Sequence, residues 1–346
     1  MRRALIIGGT GLIGRATASR LIAAGWQVDL TGRDAARMPA SLTAAGARFI
    51  AADRSDAGAV RAAAGDGADL IVDCLCYTAA DAAVLLPLAR ASASTVMISA
   101  SAVYVDAAGR HVNSDAPPDF GKPIREDQPT MAPAADSDYQ SREGYGACKV
   151  AAEQVLLDSG APVTVLRPGK VHGPWAARPR EWVFVKRVLD RRPAVFLARR
   201  GADVAQTVAA ANLAALIETA AVRPGRRILN SADPDAPSGL QIARTIAGLL
   251  HHSWDEVLLD ETADPALGRH PWEARFPIVL DMTAALRLGY VPAGDYLTTV
   301  AAQVEWLTSA AAGLQGADAL AWLSDGYFDP FLDYAREDNY LAELAG

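Results

Sequence analysis

The first half of the chain alternates continuous apolar runs with alanine-rich segments of helical periodicity. Apolar runs that each predict a strand lie at 4–9, 27–32, 48–53, 69–76 and 94–100. Residues 14–25, between the first two runs, predict a helix. Because the strands are apolar throughout rather than alternating, they are typical of a parallel sheet buried on both faces. The pattern therefore predicts an α/β protein built from repeated strand-helix-strand units.

The alternation of predicted strands and helices is interrupted after the fifth predicted strand. Residues 105–142 carry five of the 20 prolines, which predicts a long loop over the edge of an active site. A helix is expected from about Glu143 to Leu157, followed by a sixth strand at 162–168. Later segments mix helices and strands, and the aromatic stretch at 325–344 indicates a tail docked on the protein.

Composition narrows the class of protein. A chain of 346 residues with 51% hydrophobic and 21% charged residues is typical of one large or two modest globular domains. The net charge of −7 argues against a nucleic-acid or anionic-membrane partner. Three cysteines without metal-ligand spacing, and no long apolar or signal segment, predict a cytoplasmic protein without a metal.

The turn after the first strand, GGTGLIG, carries three evenly spaced glycines. A turn without side chains lets backbone N–H groups and a helix N-terminus approach a pyrophosphate. We interpret this turn as a dinucleotide-binding loop, although glycines needed only for chain geometry are the alternative. The predicted cofactor-binding residues of the loop are Gly8, Thr10, Gly11, Leu12, Ile13 and Gly14.

The tip of the second strand bears on the choice of cofactor. An acidic residue there binds both ribose hydroxyls of NAD, but this chain has Gly32 followed by Arg33. A guanidinium suits the 2′-phosphate of NADP. Two alternatives stay open: Arg33 is a surface residue paired with Asp34, or Asp29 binds the ribose and the cofactor is NAD.

Two further features complete the candidate site. Asp53, at the end of the third strand, is placed either to bind the adenine amino group or to cap the next helix. Tyr145 and Lys149 lie four residues apart and therefore share one helical face. A phenol titrates near pH 10, and a neighbouring ammonium together with a positive nicotinamide ring lowers that pKa, so this pair predicts an acid/base with its electrostatic partner.

These motifs, with MISASAVY, VTVLRPGKVHGP and LDMTAALRLGYVP, resemble the extended short-chain dehydrogenase/reductase family, NAD-dependent epimerase/dehydratase-like, in order and over nearly the whole chain. The resemblance implies a Rossmann-type, doubly wound parallel sheet in residues 1–167, with returning segments near 204–230. Residues 168–346 are then mainly a smaller substrate-binding domain and tail. It also implies hydride transfer at a carbonyl or carbinol carbon, Pro168 as a cofactor contact, Tyr104 as a substrate contact, and a possible homodimer.

The chain departs from the family at two positions. The hydroxyl that binds the reacting oxygen is expected four residues before Tyr104, where this chain has Ala100. Ser99 and Ser101 flank it, and both face away if the strand stays regular, so either the strand twists or the hydroxyl is absent. His172 replaces a tyrosine and is expected to be a turn residue, with a substrate contact as the lesser alternative.

The leading hypothesis is an NADP(H)-dependent oxidoreductase acting on a small or medium hydroxy or keto compound, with NAD possible as cofactor. Tyr145 would be the acid/base, Lys149 its partner and ribose anchor, and Ser101 or Ser99 the contact for the reacting oxygen. One alternative is a nucleotide-sugar epimerase or dehydratase with bound NAD. Another is a non-catalytic dinucleotide-sensing or RNA-associated protein on the same fold.

Overall fold

The computed structural model describes residues 1–261, 263–314 and 317–345. Its strands are β1 (Arg3–Ile7), β2 (Gln27–Gly32), β3 (Arg48–Ala51), β4 (Leu70–Asp73), β5 (Ser94–Ile98), β6 (Val163–Pro168), β7 (Lys170–His172), β8 (Ala194–Leu197), β9 (Thr207–Ala209), β10 (Arg227–Ser231) and β11 (Asp255–Leu258). Its α-helices are α1 (Leu12–Ala23), α2 (Ala40–Ala44), α3 (Ala57–Ala64), α4 (Ala79–Ala91), α5 (Arg142–Leu157), α6 (Trp182–Leu189), α7 (Ala210–Val222), α8 (Gly239–Leu249), α9 (Thr283–Arg287), α10 (Tyr296–Ala311) and α11 (Tyr334–Ala345).

Seven strands form one parallel sheet in the order β10-β6-β5-β4-β1-β2-β3. Helices cover both faces, which is why the apolar runs are continuous: all four residues from Ala4 to Ile7 are buried. The predicted Rossmann-type fold is confirmed. The strand order reverses between β1 and β4, and ligands bind at such a switch point, beyond the carboxyl ends of the strands.

Later parts of the chain return to this sheet. β10 pairs with β6 in parallel, and α7 packs along α1 on one face. The opposite face is covered by α3, α4 and α5. The segment from α7 to β10 is therefore part of the layers around the seven-stranded sheet, whereas β9 pairs with β7 in a separate two-stranded sheet.

Asp29 lies in the middle of β2 and is fully buried. Its carboxylate accepts hydrogen bonds from Arg3 Nε at 2.7 Å and Arg48 Nε at 2.8 Å. Burial alone would raise the pKa of Asp29, but the two guanidiniums lower it. The alternative that Asp29 binds a ribose is therefore wrong, because the carboxylate is already satisfied inside the sheet.

The second half builds a smaller core from α6, β8, α8 and α10, with Trp182, Phe184 and Trp272 at its centre. The tail is docked on it: Glu337 of α11 forms a buried ion pair with Arg187. Residues 105–141 form the long irregular connection expected from their prolines. In the described ranges, no helix has the length and apolar character needed to cross a bilayer.

Candidate active site

The glycine loop joins β1 to α1. Gly8 has φ +76°, a conformation that favours glycine, and a Cβ on Gly14 would lie 2.5 Å from the Cα of Gly9. No side chain caps α1, whose N-cap is Gly11. The first N–H groups of the helix therefore remain available for an anion, and the loop fits the pyrophosphate of a dinucleotide.

A cavity of about 760 Å³ extends from this loop across the ends of β2 and β3. Gly8, Thr10 and Gly11 line one side, and Arg33 and Asp53 line the other. The cavity therefore brings together the residues expected at the adenosine end of the cofactor.

Arg33 is exposed and makes no ion pair with any described residue. Asp34 is not its partner, because that carboxylate accepts the N–H of Ala36 at 2.9 Å. Asp53 is not a helix cap, since Asp56 caps α3. Two hydrogen bonds that Ser55 donates, together with the positive charge of the nearby Arg33, lower the pKa of Asp53, so its carboxylate is ionised at the cavity.

A second cavity, of about 420 Å³, lies at the ends of β5 and β6. Ile13 from the glycine loop lines it together with Tyr145, Lys149 and Pro168. Tyr77 lines both cavities, so they meet at this residue. The two cavities are thus neighbours and together form the cleft, here named the catalytic cavity at the Tyr145 end and the adenosine cavity at the Arg33 end.

Lys149 is held deep in the catalytic cavity at 2% exposure. Its Nζ donates to the carbonyl oxygens of Cys76 at 2.8 Å and Ile98 at 2.9 Å, and lies 4.2 Å from the ring centre of Tyr77. Burial lowers the pKa of Lys149. An ammonium has three donors, so this arrangement leaves one N–H for a ligand.

Tyr145 differs from the expectation in one respect. Its ring centre lies 6.0 Å from the Lys149 Nζ, and burial raises rather than lowers the pKa of its phenol. Desolvation of the phenolate outweighs the ammonium at this distance. In the protein alone, the phenol is therefore held protonated, the form that donates a proton to a carbonyl oxygen.

The two serines after β5 have different surroundings. β5 ends at Ile98, and Ser101 begins a single 3₁₀ turn capped by Ala100, so strand alternation no longer applies there. Ser99 Oγ donates to Glu153, which Arg167 also binds. The structure therefore contradicts Ser99 as a contact for the reacting oxygen.

Ser101 lines the catalytic cavity and is half-buried. Among the described residues, its Oγ has no hydrogen-bond partner. Of the two flanking serines, Ser101 is thus the one whose hydroxyl is available to a ligand.

Tyr104 and His172 do not line the catalytic cavity. Tyr104 is fully buried, and its OH donates to Asn230 Oδ1 at 2.7 Å, so it cannot contact substrate. His172 is 2% exposed and its Nε2 lies 3.0 Å from Asp233 Oδ2, an arrangement that fits a structural turn residue. The Leu12 side chain faces a separate cavity beside His172, so only the backbone of Leu12 belongs to the phosphate loop.

Sequence reasoning missed four cations of the cleft. Arg37 and Arg54 line the adenosine cavity with Arg33, and Arg54 is paired with the buried Asp73. Lys170 and Arg180 line the catalytic cavity. A lysine two residues after Pro168, directly beyond the sixth predicted strand, was the available signal for Lys170, whereas the placement of Arg180 depends on tertiary packing. The described residues contain no cluster of His, Cys, Asp or Glu able to hold a metal ion.

A family model described as the NAD dependent epimerase/dehydratase family matches residues 4–224. No curated protein matches the chain. Several solved structures align with it over most of its length. They include the Bordetella bronchiseptica enzyme WbmH in complex with NAD⁺, with TM-score 0.67 and 17% identity, covering 89% of this chain and 98% of that one.

Two others are a UDP-glucose 4-epimerase and a dehydratase. The UDP-glucose 4-epimerase of Thermus thermophilus, in complex with NAD, has TM-score 0.65 and 18% identity, with 89% and 99% of the two chains covered. The dTDP-glucose 4,6-dehydratase from Bacillus anthracis str. Ames in complex with NAD has TM-score 0.66 and 13% identity, with 89% and 97% covered. The chain belongs to the NAD-dependent epimerase/dehydratase family, and it is an enzyme of the short-chain dehydrogenase/reductase type that uses a nicotinamide dinucleotide.

Proposed function

We propose that the protein is an NADP(H)-dependent oxidoreductase that interconverts a carbonyl and a hydroxyl group on a small or medium metabolite. The observation that carries the proposal is that Tyr145, Lys149 and Ser101 line one cavity with Ile13 of the glycine loop. A candidate acid/base (Tyr145), a cation (Lys149) and a second hydrogen-bond donor (Ser101) therefore surround the space beside the dinucleotide loop. A homodimer stays a prediction.

The roles follow from the contacts. Bound in this cleft, a nicotinamide dinucleotide supplies or accepts the hydride. Tyr145, held protonated by burial, donates its proton to the carbonyl oxygen in reduction and recovers it in oxidation. Lys149 is fixed by two backbone carbonyls, stabilises the resulting phenolate and keeps one N–H for the cofactor ribose. Ser101 Oγ is the second donor to the reacting oxygen.

NADP(H) is proposed from the charge of the adenosine cavity. Arg33 and Arg37 line it, and Gly32 stands where an acid would repel a 2′-phosphate. Asp29 is buried in the sheet and Asp34 accepts a backbone N–H. Among the described residues Arg33 forms no ion pair, although its charge lowers the pKa of the nearby Asp53. A phosphate would be the partner of Arg33.

The second candidate function is epimerisation or dehydration of a nucleotide sugar with NAD retained. It is supported by the family model and by the epimerases and dehydratases with the same fold. Arg33 argues against it. So do Ala100 and Ala102 on either side of Ser101, since dehydratases are expected to carry an Asp/Glu pair beside that serine.

One assay separates the candidates. The purified protein is incubated with NADPH or NADH and a panel of aldehydes and ketones, and in parallel with UDP-glucose and NAD⁺. Consumption of NADPH that is lost in Tyr145→Phe supports the oxidoreductase. Interconversion of UDP-glucose and UDP-galactose without net cofactor turnover would instead establish the epimerase. If neither occurs while dinucleotide still binds, the result counts against both reactions on these substrates and favours the non-catalytic alternative.

A further inference from the structure

Lys170 and Arg180 are two cations of the catalytic cavity that have no carboxylate partner among the described residues. Both are half-buried and line it from β7 and from the segment before α6. Arg180 Nη1 lies 3.4 Å from the carbonyl oxygen of Val171, and Lys170 Nζ has no hydrogen-bond or ion-pair partner in the same described ranges. Glu273, which also lines the cavity, lies 3.5 Å from Arg269.

This arrangement differs from that of two buried arginines of the protein. Arg167 is paired with Glu153, and Arg187 with Glu337, each pair almost fully buried. A desolvated cation without a partner is unfavourable, so proteins pair such groups or leave them for a ligand. Two of them on one cavity wall indicate that the partner comes from outside the chain.

The backbone holds Lys170 rigidly. Its N–H donates to the Gln206 carbonyl at 3.0 Å, and it lies opposite Thr207 in the β7–β9 pair. A Cβ on Gly169 would lie 2.5 Å from the Gln206 oxygen, so the two segments pack at a distance that only glycine allows. The backbone position from which the Lys170 side chain extends is therefore fixed.

The electrostatics of Lys170 also favour a bound anion. Burial, and then the nearby Arg180 guanidinium, lower the pKa of Lys170 to about 7. An anion placed between the two cations would restore the charged form of the lysine and remove their mutual repulsion.

We propose that Lys170 and Arg180 form an anion subsite in the catalytic cavity, so that the substrate is a hydroxy or keto compound carrying a carboxylate or phosphate group. The inference rests on the proposed function, since it places the anionic end of the molecule opposite the carbon whose oxygen meets Tyr145 and Ser101. The subsite fixes orientation, and the proton transfer remains with Tyr145.

The test compares matched substrates that differ in charge: benzoylformate against its methyl ester, and dihydroxyacetone phosphate against dihydroxyacetone. Wild type is expected to favour the anionic member by roughly 10- to 100-fold in kcat/KM, the range of a charged hydrogen bond. Lys170→Met and Arg180→Met should each remove most of that preference through KM, while Lys170→Arg retains most of it. Lys122→Met, which changes an exposed lysine outside the cavity, is the matched control.

Two outcomes overturn the subsite. One is equal kcat/KM for the anionic and neutral members of both pairs. The other is a Lys170→Met enzyme that loses kcat on the neutral members as well and is not rescued by Lys170→Arg, because that result makes Lys170 a proton-transfer group. A preference confined to one pair identifies the anion as carboxylate or phosphate.

Direct binding separates the subsite from the proposed function. Acetate and inorganic phosphate are titrated by calorimetry into protein saturated with NADP⁺, which occupies the other anion site. Binding that Lys170→Met or Arg180→Met weakens supports the subsite even if no carbonyl compound is reduced, and that failure would count against the oxidoreductase alone. Equal binding by wild type and both variants overturns the subsite.

Discussion

The two ends of the cleft use charge in different ways. At the adenosine end, Arg33 and Arg37 are exposed to solvent and stand beside an ionised Asp53. At the catalytic end, Lys149 is buried against two carbonyl oxygens and Lys170 is partly desolvated. Water screens the first set of charges and largely fails to screen the second.

The two ends are therefore expected to contribute differently: the adenosine end to cofactor affinity, and the catalytic end to the reactivity of the groups around the substrate. A solvated guanidinium adds a modest, salt-sensitive increment to binding, and the effect of Arg33 on the pKa of Asp53 ranks behind that of the Ser55 hydrogen bonds. Burial itself shifts pKa values at the catalytic end: it raises the pKa of Tyr145 and lowers the pKa values of Lys149 and Lys170. We therefore expect changes at the catalytic end to be large and pH-dependent, and changes at the adenosine end to be smaller and salt-dependent.

The largest expected effect is that of Tyr145→Phe. The substitution keeps the ring and its packing but removes the proton donor, so turnover should fall by about 10²- to 10⁴-fold. Single-turnover kinetics measure the loss, and fluorescence titration with NADPH should show cofactor binding unchanged within about twofold. Retained turnover would mean that another group transfers the proton. It would also contradict the expectation that substitutions at the catalytic end have the larger effects.

Ser101→Ala is expected to rank second. Removing one preorganised donor to the reacting oxygen costs on the order of 10²- to 10³-fold in turnover. The companion variant, Ala100→Ser, adds one oxygen beside it and should change little if Ser101 already holds the substrate. An enzyme at full speed without the Ser101 hydroxyl would contradict its role, and acceleration by Ala100→Ser would place the missing donor at position 100.

The third prediction concerns pH. Above the pKa of Lys170, about 7, the ammonium is lost and affinity for an anion should fall by up to about tenfold per pH unit. Below pH 7 the affinity should stay level, because the lysine is already charged. The KM of a carboxylate substrate, measured from pH 6 to 9, reports this directly, since the carboxylate itself does not titrate there.

Its controls address the rest of the cavity. The other charged or titratable side chains lining it are Cys74, Tyr77, Tyr145, Lys149, Arg180 and Glu273. Lys149 also has a lowered pKa, so the neutral member of each substrate pair is measured alongside. Lys170→Arg should remove the rise in KM up to pH 9, because a guanidinium stays charged. If the KM of the neutral substrate rises with pH in the same way, the group that titrates is not Lys170.

The sequence predicted the features that depend on local structure. Continuous apolar runs, glycine spacing and the shared helical face of Tyr145 and Lys149 are set by residues close in the chain. The sheet and the dinucleotide loop followed from them. The choice between Ser99 and Ser101 did not, because it depends on where β5 ends and on Glu153 binding the Ser99 hydroxyl.

The remaining errors have a tertiary cause. Asp29 and Tyr104 were each considered as ligand contacts, yet each is buried against a partner distant in sequence. Lys170 was missed because its meaning depends on Arg180, which reaches the same cavity from another segment. A motif shows which residues stand near a site, whereas burial and partners decide which of their polar groups are available.

Arg33→Ala should have the smallest effect and the one most sensitive to salt. A charged hydrogen bond contributes roughly 1.5–3 kcal/mol, and the exposure of Arg33 places the expected loss near the lower bound, about tenfold in the Kd for NADPH. NADH lacks the 2′-phosphate, so its Kd should hardly change. Because Arg37 lines the same cavity, part of the selectivity should survive, and Arg33→Ala with Arg37→Ala should remove it.

Arg61→Ala removes an exposed arginine of α3 that does not line the cleft, and serves as the control for net charge. Raising the ionic strength should narrow the difference between wild type and Arg33→Ala, since screening weakens a solvated contact first. Two results would break the comparison between the two ends. Equal losses for NADPH and NADH would mean that Arg33 supports the shape of the site rather than a phosphate. A loss of about 10³-fold or more, unaffected by salt, would mean that the adenosine end becomes as desolvated as the catalytic end when the cofactor binds.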